Sequence, residues 1–362
     1  MSQAGSRNPE QAWRRFATIF IAVFAGAFAG AVAFIALLDP YELFPFSLPI
    51  ERPIISIDQR QVYPQIIRSH RFDSLIVGSS TSRAIDPDVL DRKFGARFAN
   101  LSISAGIARE QLAIIGYFLR KIGPPKVIMI GLDHVWCDAA ADKAVSIAGD
   151  FPDWLYDDNR WNDIPNILNR NMLDLSVRLV RYHLKLYGPR IQPNGYDVGD
   201  PYAWLYDPAR AREMIWGEQH LWALPEEPDE PELPEPDPLP QQRPAMKLPA
   251  LAWLDEILAQ LPPSSIKILA FMPVHIAAQP WPGTADAASE WECKERFAAI
   301  GRKRNATVID MRITSPLTAK DENYWDKLHT RAEIGRTVSE LIADAVLRDP
   351  DASAENYRVL GR

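Results

Sequence analysis

The feature that most limits what this chain can become is a run of 23 residues, 16–38, without one charged side chain. As a helix it would span about 34 Å at roughly 1.5 Å per residue, enough for a hydrocarbon core of about 30 Å. The run is therefore expected to be a transmembrane helix. A cleaved signal peptide is the competing reading, because small residues such as Ala31 and Ala33 stand near its end. The apolar core of a signal peptide is normally only about 7–15 residues long. Arg14 and Arg15 precede the run, whereas Asp39 and Glu42 follow it. The positive-inside bias then makes residues 1–15 a cytoplasmic leader and puts everything from about residue 40 outside the cytoplasm. Gly26 and Gly30 are four apart, a spacing that allows another helix to approach but is a weak partner signal in an alanine-rich run.

Residues 39–70 are rich in Pro, Phe and Ile without a clear period, and read as a membrane-proximal connector. Regular alternation starts after them. Apolar runs at 75–77, 97–103, 127–132, 266–272 and 307–311 read as strands, with helical patterns near 86–94, 107–122, 249–261, 289–304 and 331–347. Strands alternating with helices imply right-handed crossovers and an α/β fold, a single doubly wound parallel-sheet domain over 71–347 followed by a C-terminal tail, 348–362. No internal repeat is present. A chain of 362 residues, 47% hydrophobic and 24% charged, suffices for one large core behind an anchor. Its net charge of −7 offers no basic field for nucleic acid.

A large insertion, about 138–247, breaks the rhythm between the third and fourth strands. Its first part carries Trp154, Trp161, Trp204, Trp216 and Trp222, and its second, the loop 224–244, is acidic and punctuated by proline. The aromatic part reads either as the packing of a helical cap or as a lid over a site, since Trp and Tyr faces suit sugar rings and acyl groups. The acidic part reads as extended, with polyproline character. Cys137 and Cys293 make no metal pattern. An oxidising compartment would permit a disulfide between them, although spacing does not establish proximity.

Two stretches carry chemistry. In the first, Leu75-Ile76-Val77 ends abruptly at Gly78-Ser79-Ser80, which places a serine at the C-terminal edge of a sheet, where open α/β sheets hold ligands. Taken alone, these serines read first as caps of the next helix, and the second stretch is what reverses that reading. In the second stretch, about 250 residues on, Asp326 and His329 are three apart, so that in a helical turn or tight loop both project to one side. A serine hydroxyl needs an adjacent base, and that base needs an acidic group to fix its tautomer. Ser80, His329 and Asp326 supply one of each. His134 and His275 stand just past predicted strand ends and are secondary candidates, either as hydrogen-bonded structural residues or as substrate contacts. Arg83 reads as a solvated helix-face residue, with contact to an anionic group as the alternative.

With these residues in place the sequence resembles the SGNH (GDSL-like) serine hydrolases and acyltransferases over roughly 73–137 and 264–347. Ser80 matches the nucleophile of their Gly-Asp-Ser block, with Ser79 replacing the Asp, and Asp326 and His329 match the closing Asp-x-x-His block. The second block begins at Asn100 and ends Ser104-Ala105-Gly106, with Ala105 where the family has glycine. The resemblance implies an SGNH/flavodoxin-like fold and an oxyanion hole built from backbone N–H groups of Ser80 and of Ala105 or Gly106. The third block departs most. It places Asp133 where the family has an asparagine that donates to the oxyanion. A carboxylate about 4 Å from an oxyanion would be repelled by roughly 4 kcal/mol at an effective dielectric near 20. Asp133 is therefore protonated, or turns away to cap a helix or hold a substrate hydroxyl, or leaves the hole with fewer donors.

Members with Gly-Ser-Ser and an N-terminal anchor look most like envelope O-acyltransferases of the bacterial inner membrane whose catalytic domain is periplasmic. That resemblance implies a membrane-bound O-acyltransferase (MBOAT-type) as acyl donor, an acyl-Ser80 intermediate and a polysaccharide acceptor. A carbohydrate esterase with the same triad and a non-catalytic, membrane-tethered glycan-binding protein are the alternatives. No metal-ligand or dinucleotide motif occurs in the sequence, so no cofactor is expected.

Overall fold

The computed structural model describes residues 9–159, 162–197, 206–217, 246–348 and 355–361. The acidic loop 224–244 and Trp161, Trp204 and Trp222 lie outside the described residues. The chain divides into two compact units, Met1–Ile57 with Asp158–Arg190, and Asp58–Asp157 with Ile191–Arg362. Part of the insertion belongs with the N-terminal helix, and the remainder belongs with the sheet.

The first unit is built on α1 (Pro9–Leu38), which contains the whole charge-free run and starts seven residues before it. It is long and apolar enough to cross a membrane. Only its C-terminal turns are covered, with Ile35 and Leu38 buried.

The second unit contains α2 (Gln59–Arg68), β1 (Ser74–Val77), α3 (Pro87–Phe94), β2 (Phe98–Asn100), α4 (Ala108–Lys121) and β3 (Val127–Leu132). The first unit's α5 (Asp163–Ile167) and α6 (Arg170–His183) follow in the chain. The second unit then resumes with α7 (Pro208–Trp216), α8 (Pro249–Ala259), β4 (Ile266–Phe271), α9 (Ala285–Arg304), β5 (Ala306–Asp310), α10 (Ala332–Leu347) and β6 (Arg358–Gly361). The sheet order is β2-β1-β3-β4-β5-β6, parallel from β2 through β5. The order reverses between β1 and β3, which is where such sheets open a crevice at their C-terminal edge. α3 and α10 pack together on one face, and α4, α8 and α9 cover the other. Strands with both faces covered are mostly apolar, and all four residues of β1, Ser74 included, and all six of β3 are buried.

Three expectations change. The tail contributes β6, which pairs antiparallel with β5, so the sheet is mixed. The connector is partly helical: α2 holds Pro64 in its interior, and Pro64 has no N–H for the Arg60 carbonyl four residues back. The Tyr156 hydroxyl donates to that carbonyl instead, at 2.8 Å, so the break in the ladder is satisfied from outside the helix. The second strand is also shorter than 97–103, because past Asn100 the chain leaves regular β geometry. It still donates from Leu101 N to Ile76 O (2.8 Å) and from Ile103 N to Gly78 O (3.0 Å), and so runs beside the exit of β1. Cys137 and Cys293 form a disulfide with Cα atoms 5.8 Å apart, joining the loop after β3 to α9.

Candidate active site

The strand exits deliver the site. After β1 the chain passes Gly78 and Ser79 and turns into a short 3-10 turn, Ser80–Ser82. The turn can tuck under the sheet edge because Gly78 and Gly131, on neighbouring strands, both lack a side chain. A Cβ at Gly78 would meet Ser82 Oγ at 2.3 Å, and one at Gly131 would meet it at 1.9 Å. Asn100, at the end of β2, clamps the same turn. Its amide donates to the carbonyls of Ser82 (3.1 Å) and Ile85 (2.9 Å), and its Oδ1 accepts from Ser102 N.

The base arrives on a hairpin before α10. Arg331 N donates to Asn323 O (2.9 Å), Tyr324 pairs with Thr330, and Trp325 N donates to His329 O (2.9 Å). The fully buried Tyr324 ring roots this hairpin in the core. Inside it Asp326 Oδ1 accepts from the N–H groups of Leu328 (2.7 Å) and His329 (2.9 Å), a tight loop that turns both side chains to one side. His329 Nδ1 lies 2.8 Å from Asp326 Oδ2, and His329 Nε2 lies 2.8 Å from Ser80 Oγ. With the ring proton on Nδ1, facing Asp326, Nε2 is left as the acceptor for the serine hydroxyl. Burial opposes charge on Asp326, but hydrogen bonds from His329 and the two backbone N–H groups outweigh it and hold the carboxyl below its ordinary range. A depressed folded pKa contributes stability that is fully present above the unfolded value of about 3.9 and is lost as pH falls through the folded one, so Asp326 stays ionised at neutral pH.

Of the three candidate oxyanion donors, Gly106 N is engaged with Ile103 O at 3.2 Å. The N–H groups of Ser80 and Ala105 donate to no group among the described residues. Ala105 has φ +50°, the left-handed region that a glycine enters without steric cost. What holds it there is a buried cluster that sequence reasoning missed. Arg60, on α2, forms a two-pronged ion pair with Glu110, on α4 (3.0 and 2.8 Å), and donates to the carbonyls of Ser104 (3.0 Å) and Ala105 (3.4 Å). Gln59 Oε1 accepts from Ser104 N at 2.9 Å. Arg83 is not a solvated helix-face residue. It donates to Ser104 Oγ (2.9 Å) and pairs with Asp197 at 2.5 Å. The relevant residues lie 50 positions apart in sequence, and only the acidic residue three after Ile107, reaching back to its N–H, left a local trace.

Relief of the backbone strain at Ala105 is testable. Ala105→Gly is expected to raise the thermal midpoint, by up to about 1 kcal/mol of stability, while leaving the reactivity of Ser80 unchanged. A lowered midpoint would show that this alanine is not strained.

Asp133 turns away from the hole. Its carboxylate accepts from the Ser79 hydroxyl and from Val135 N, capping the short turn that follows β3. Thus two of the three positions at which the chain departs from the resembled motifs, Ser79 and Asp133, are hydrogen-bonded to each other. His134 is exposed beside it. The reading of His275 as a substrate contact is corrected: the side chain is fully buried, edge-on to the rings of Trp216 and Tyr324. Its Nδ1 accepts from Ala277 N, while Nε2 is 3.2 Å from Asp321 Oδ1 but out of line for a hydrogen bond. Burial lowers its pKa more than the Asp321 carboxylate raises it, so it is a neutral core histidine.

No family model matches the chain, and neither does any curated protein.

Proposed function

We propose that the chain is a membrane-anchored serine O-acyltransferase of the SGNH type, acting outside the cytoplasm on a polysaccharide hydroxyl. One observation carries the reading: His329 Nε2 stands 2.8 Å from Ser80 Oγ with Asp326 behind the ring. Ser80 Oγ attacks the acyl carbonyl as its proton passes to His329 Nε2. The oxyanion forms beside the unpaired N–H groups of Ser80 and Ala105. His329 returns the proton to the leaving group, and the acyl group remains on Ser80 as an ester. An acceptor hydroxyl then gives its proton to His329, takes the acyl group and restores Ser80. With water as acceptor, the same steps make a carbohydrate esterase.

Three features support the resemblance. Ser80 follows β1, the loop of Ala105 follows β2, and the Asp326–His329 pair immediately precedes α10. The disulfide supports an oxidising compartment, and α1 supports a donor in the same membrane, a membrane-bound O-acyltransferase, because tethering raises the local concentration of the domain.

The test uses the full chain in nanodiscs. After brief exposure to p-nitrophenyl acetate, intact-mass spectrometry is expected to show one acetyl group, located on Ser80 and removed faster by an oligosaccharide acceptor than by water. Removal by water alone selects the esterase. A folded protein that never acquires the acetyl group overturns both.

A further inference from the structure

We propose that α6 is a second membrane contact, an interfacial helix that seats the first unit on the anionic phospholipid headgroups of the leaflet where α1 emerges. The proposal rests on α1 crossing the membrane and extends that reading to a part of the chain given no role so far.

The first argument is one of length. α1 enters the bilayer after Arg15, and a hydrocarbon core of about 30 Å takes up about 20 residues of helix. The far interface therefore falls near residue 35. Those are the turns on which α6 packs, with Ile35 and Leu38 buried, whereas the stretch up to Gly30 is exposed along its length. A helix held against these turns lies at the level of the headgroups. The same contact argues against α1 as a cleaved signal, since its loss would uncover Met172, Leu175 and Leu179 on the packed face of α6.

The second argument is the pattern on α6. At about 100° per residue its surface resolves into three stripes. Met172, Leu175, Ser176 and Leu179 form the buried stripe. Leu173 and Val177, with Leu184 just past the helix end, form an apolar stripe that no described residue buries, 39%, 44% and 63% exposed. Beside it run Arg170, Arg178 and Arg181, with Asp174 among them. Arg178 pairs with Asp174 at 2.7 Å, and both Arg178 and Arg181 lie over the Tyr187 ring. Arg170 and Arg181 form no ion pair among the described residues. An exposed apolar stripe flanked by arginines and a tyrosine is the pattern of a helix lying in a membrane interface.

The third argument is charge. Between 158 and 190 the sequence has six arginines and lysines against three aspartates, in a chain whose net charge is −7. The segment beside the anchor is thus basic by three charges although the chain as a whole is acidic, and an anionic surface would attract it. Phe46, 63% exposed and stacked on Phe44 in the loop after α1, adds a further apolar group to this unit.

The experiment places an environment-sensitive fluorophore on the full chain in nanodiscs. Both native cysteines are in the disulfide, so a new thiol is the sole target. Leu184→Cys reports the interface, Val23→Cys reports the span, and the exposed Glu256→Cys of the second unit is the reference. In phosphatidylcholine with phosphatidylglycerol, the label at position 184 is expected to shift to the blue and to be quenched by lipids bearing a nitroxide near the headgroup, and the label at 23 by lipids bearing it deep in the acyl chain. Reversing Arg170 and Arg181 to glutamate should lower the docked-to-undocked ratio by at least about 30-fold, the loss of two attractions, with the repulsion of the new carboxylates added to it. High salt should act in the same direction. A label at 184 that behaves like the one at 256, while that at 23 is quenched, overturns the proposal and leaves the anchor standing. Equal quenching in phosphatidylcholine alone, unaffected by the reversals, overturns the anionic recognition. If the label at 23 is not quenched either, the anchor reading fails and this proposal fails with it. None of these outcomes alters the acetylation of Ser80, which tests the enzyme reading separately.

Discussion

Ser80→Ala is expected to lower the acyl-transfer rate by about 10⁴–10⁶-fold, and His329→Ala by a similar factor, because the hydroxyl and its base act as one unit. The double variant should be no slower than either single one. Asp326→Asn keeps the shape of the loop but allows the wrong imidazole tautomer, and a loss of about 10⁴ is expected. Release of p-nitrophenol, with intact mass to follow the acyl adduct, measures all four. The contacts involved are few and partly exposed, with the His329 side chain 36% accessible, so the thermal midpoints should barely move. That separates lost chemistry from lost fold. A Ser80→Ala protein with the parent rate would mean that another group accepts the acyl chain, and multiplicative losses would mean that Ser80 and His329 are not partners.

Much of this site was legible because its signals are local. The run at 127–132 is bounded as a strand by its own apolar content, and Asp326 and His329 could be paired from a spacing of three. Ser80 stood out because an apolar run ended at a glycine, and Gly78 is in fact the clearance that Ser82 needs. What was not legible depends on contacts distant in sequence. α2 lacks a readable period because buried Gln59, Arg60 and Gln65 interrupt its apolar face and Pro64 sits inside it, made tolerable only by the hydroxyl of Tyr156. β6 is four residues long and owes its state to the exposed edge of β5. Asp133 could not be assigned until Ser79, on the neighbouring strand exit, became its partner. His275 carries the same spacing signal as a ligand-edge residue and differs from one only in what packs over it. The division into two units is likewise invisible in composition, since it depends on a stripe of α6 fitting the end of α1.

The Arg60–Glu110 pair offers the sharpest way to separate holding the oxyanion loop from holding the fold. Both side chains are buried, so Arg60→Ala strands a carboxylate without its partner and is expected to cost about 3–5 kcal/mol, read as a large drop in the thermal midpoint. Arg60→Met together with Glu110→Met removes both charges and refills the volume, and such replacements are often neutral or stabilising. The double variant should therefore recover most of the midpoint. It should not recover the rate. The carbonyls of Ser104 and Ala105 lose the guanidinium that fixes them, and with it the hold on the turn that carries the Ala105 N–H. Loss of one oxyanion donor slows a serine enzyme by about 10²–10³-fold, so a stable protein acylated that much more slowly is the expected result. Full recovery of both stability and rate would make the ion pair a structural fixture with no hold on the site. Recovery of neither would mean that the left-handed turn at Ala105 cannot form without Arg60, and the Ala105→Gly change introduced into the double variant should then restore the midpoint first.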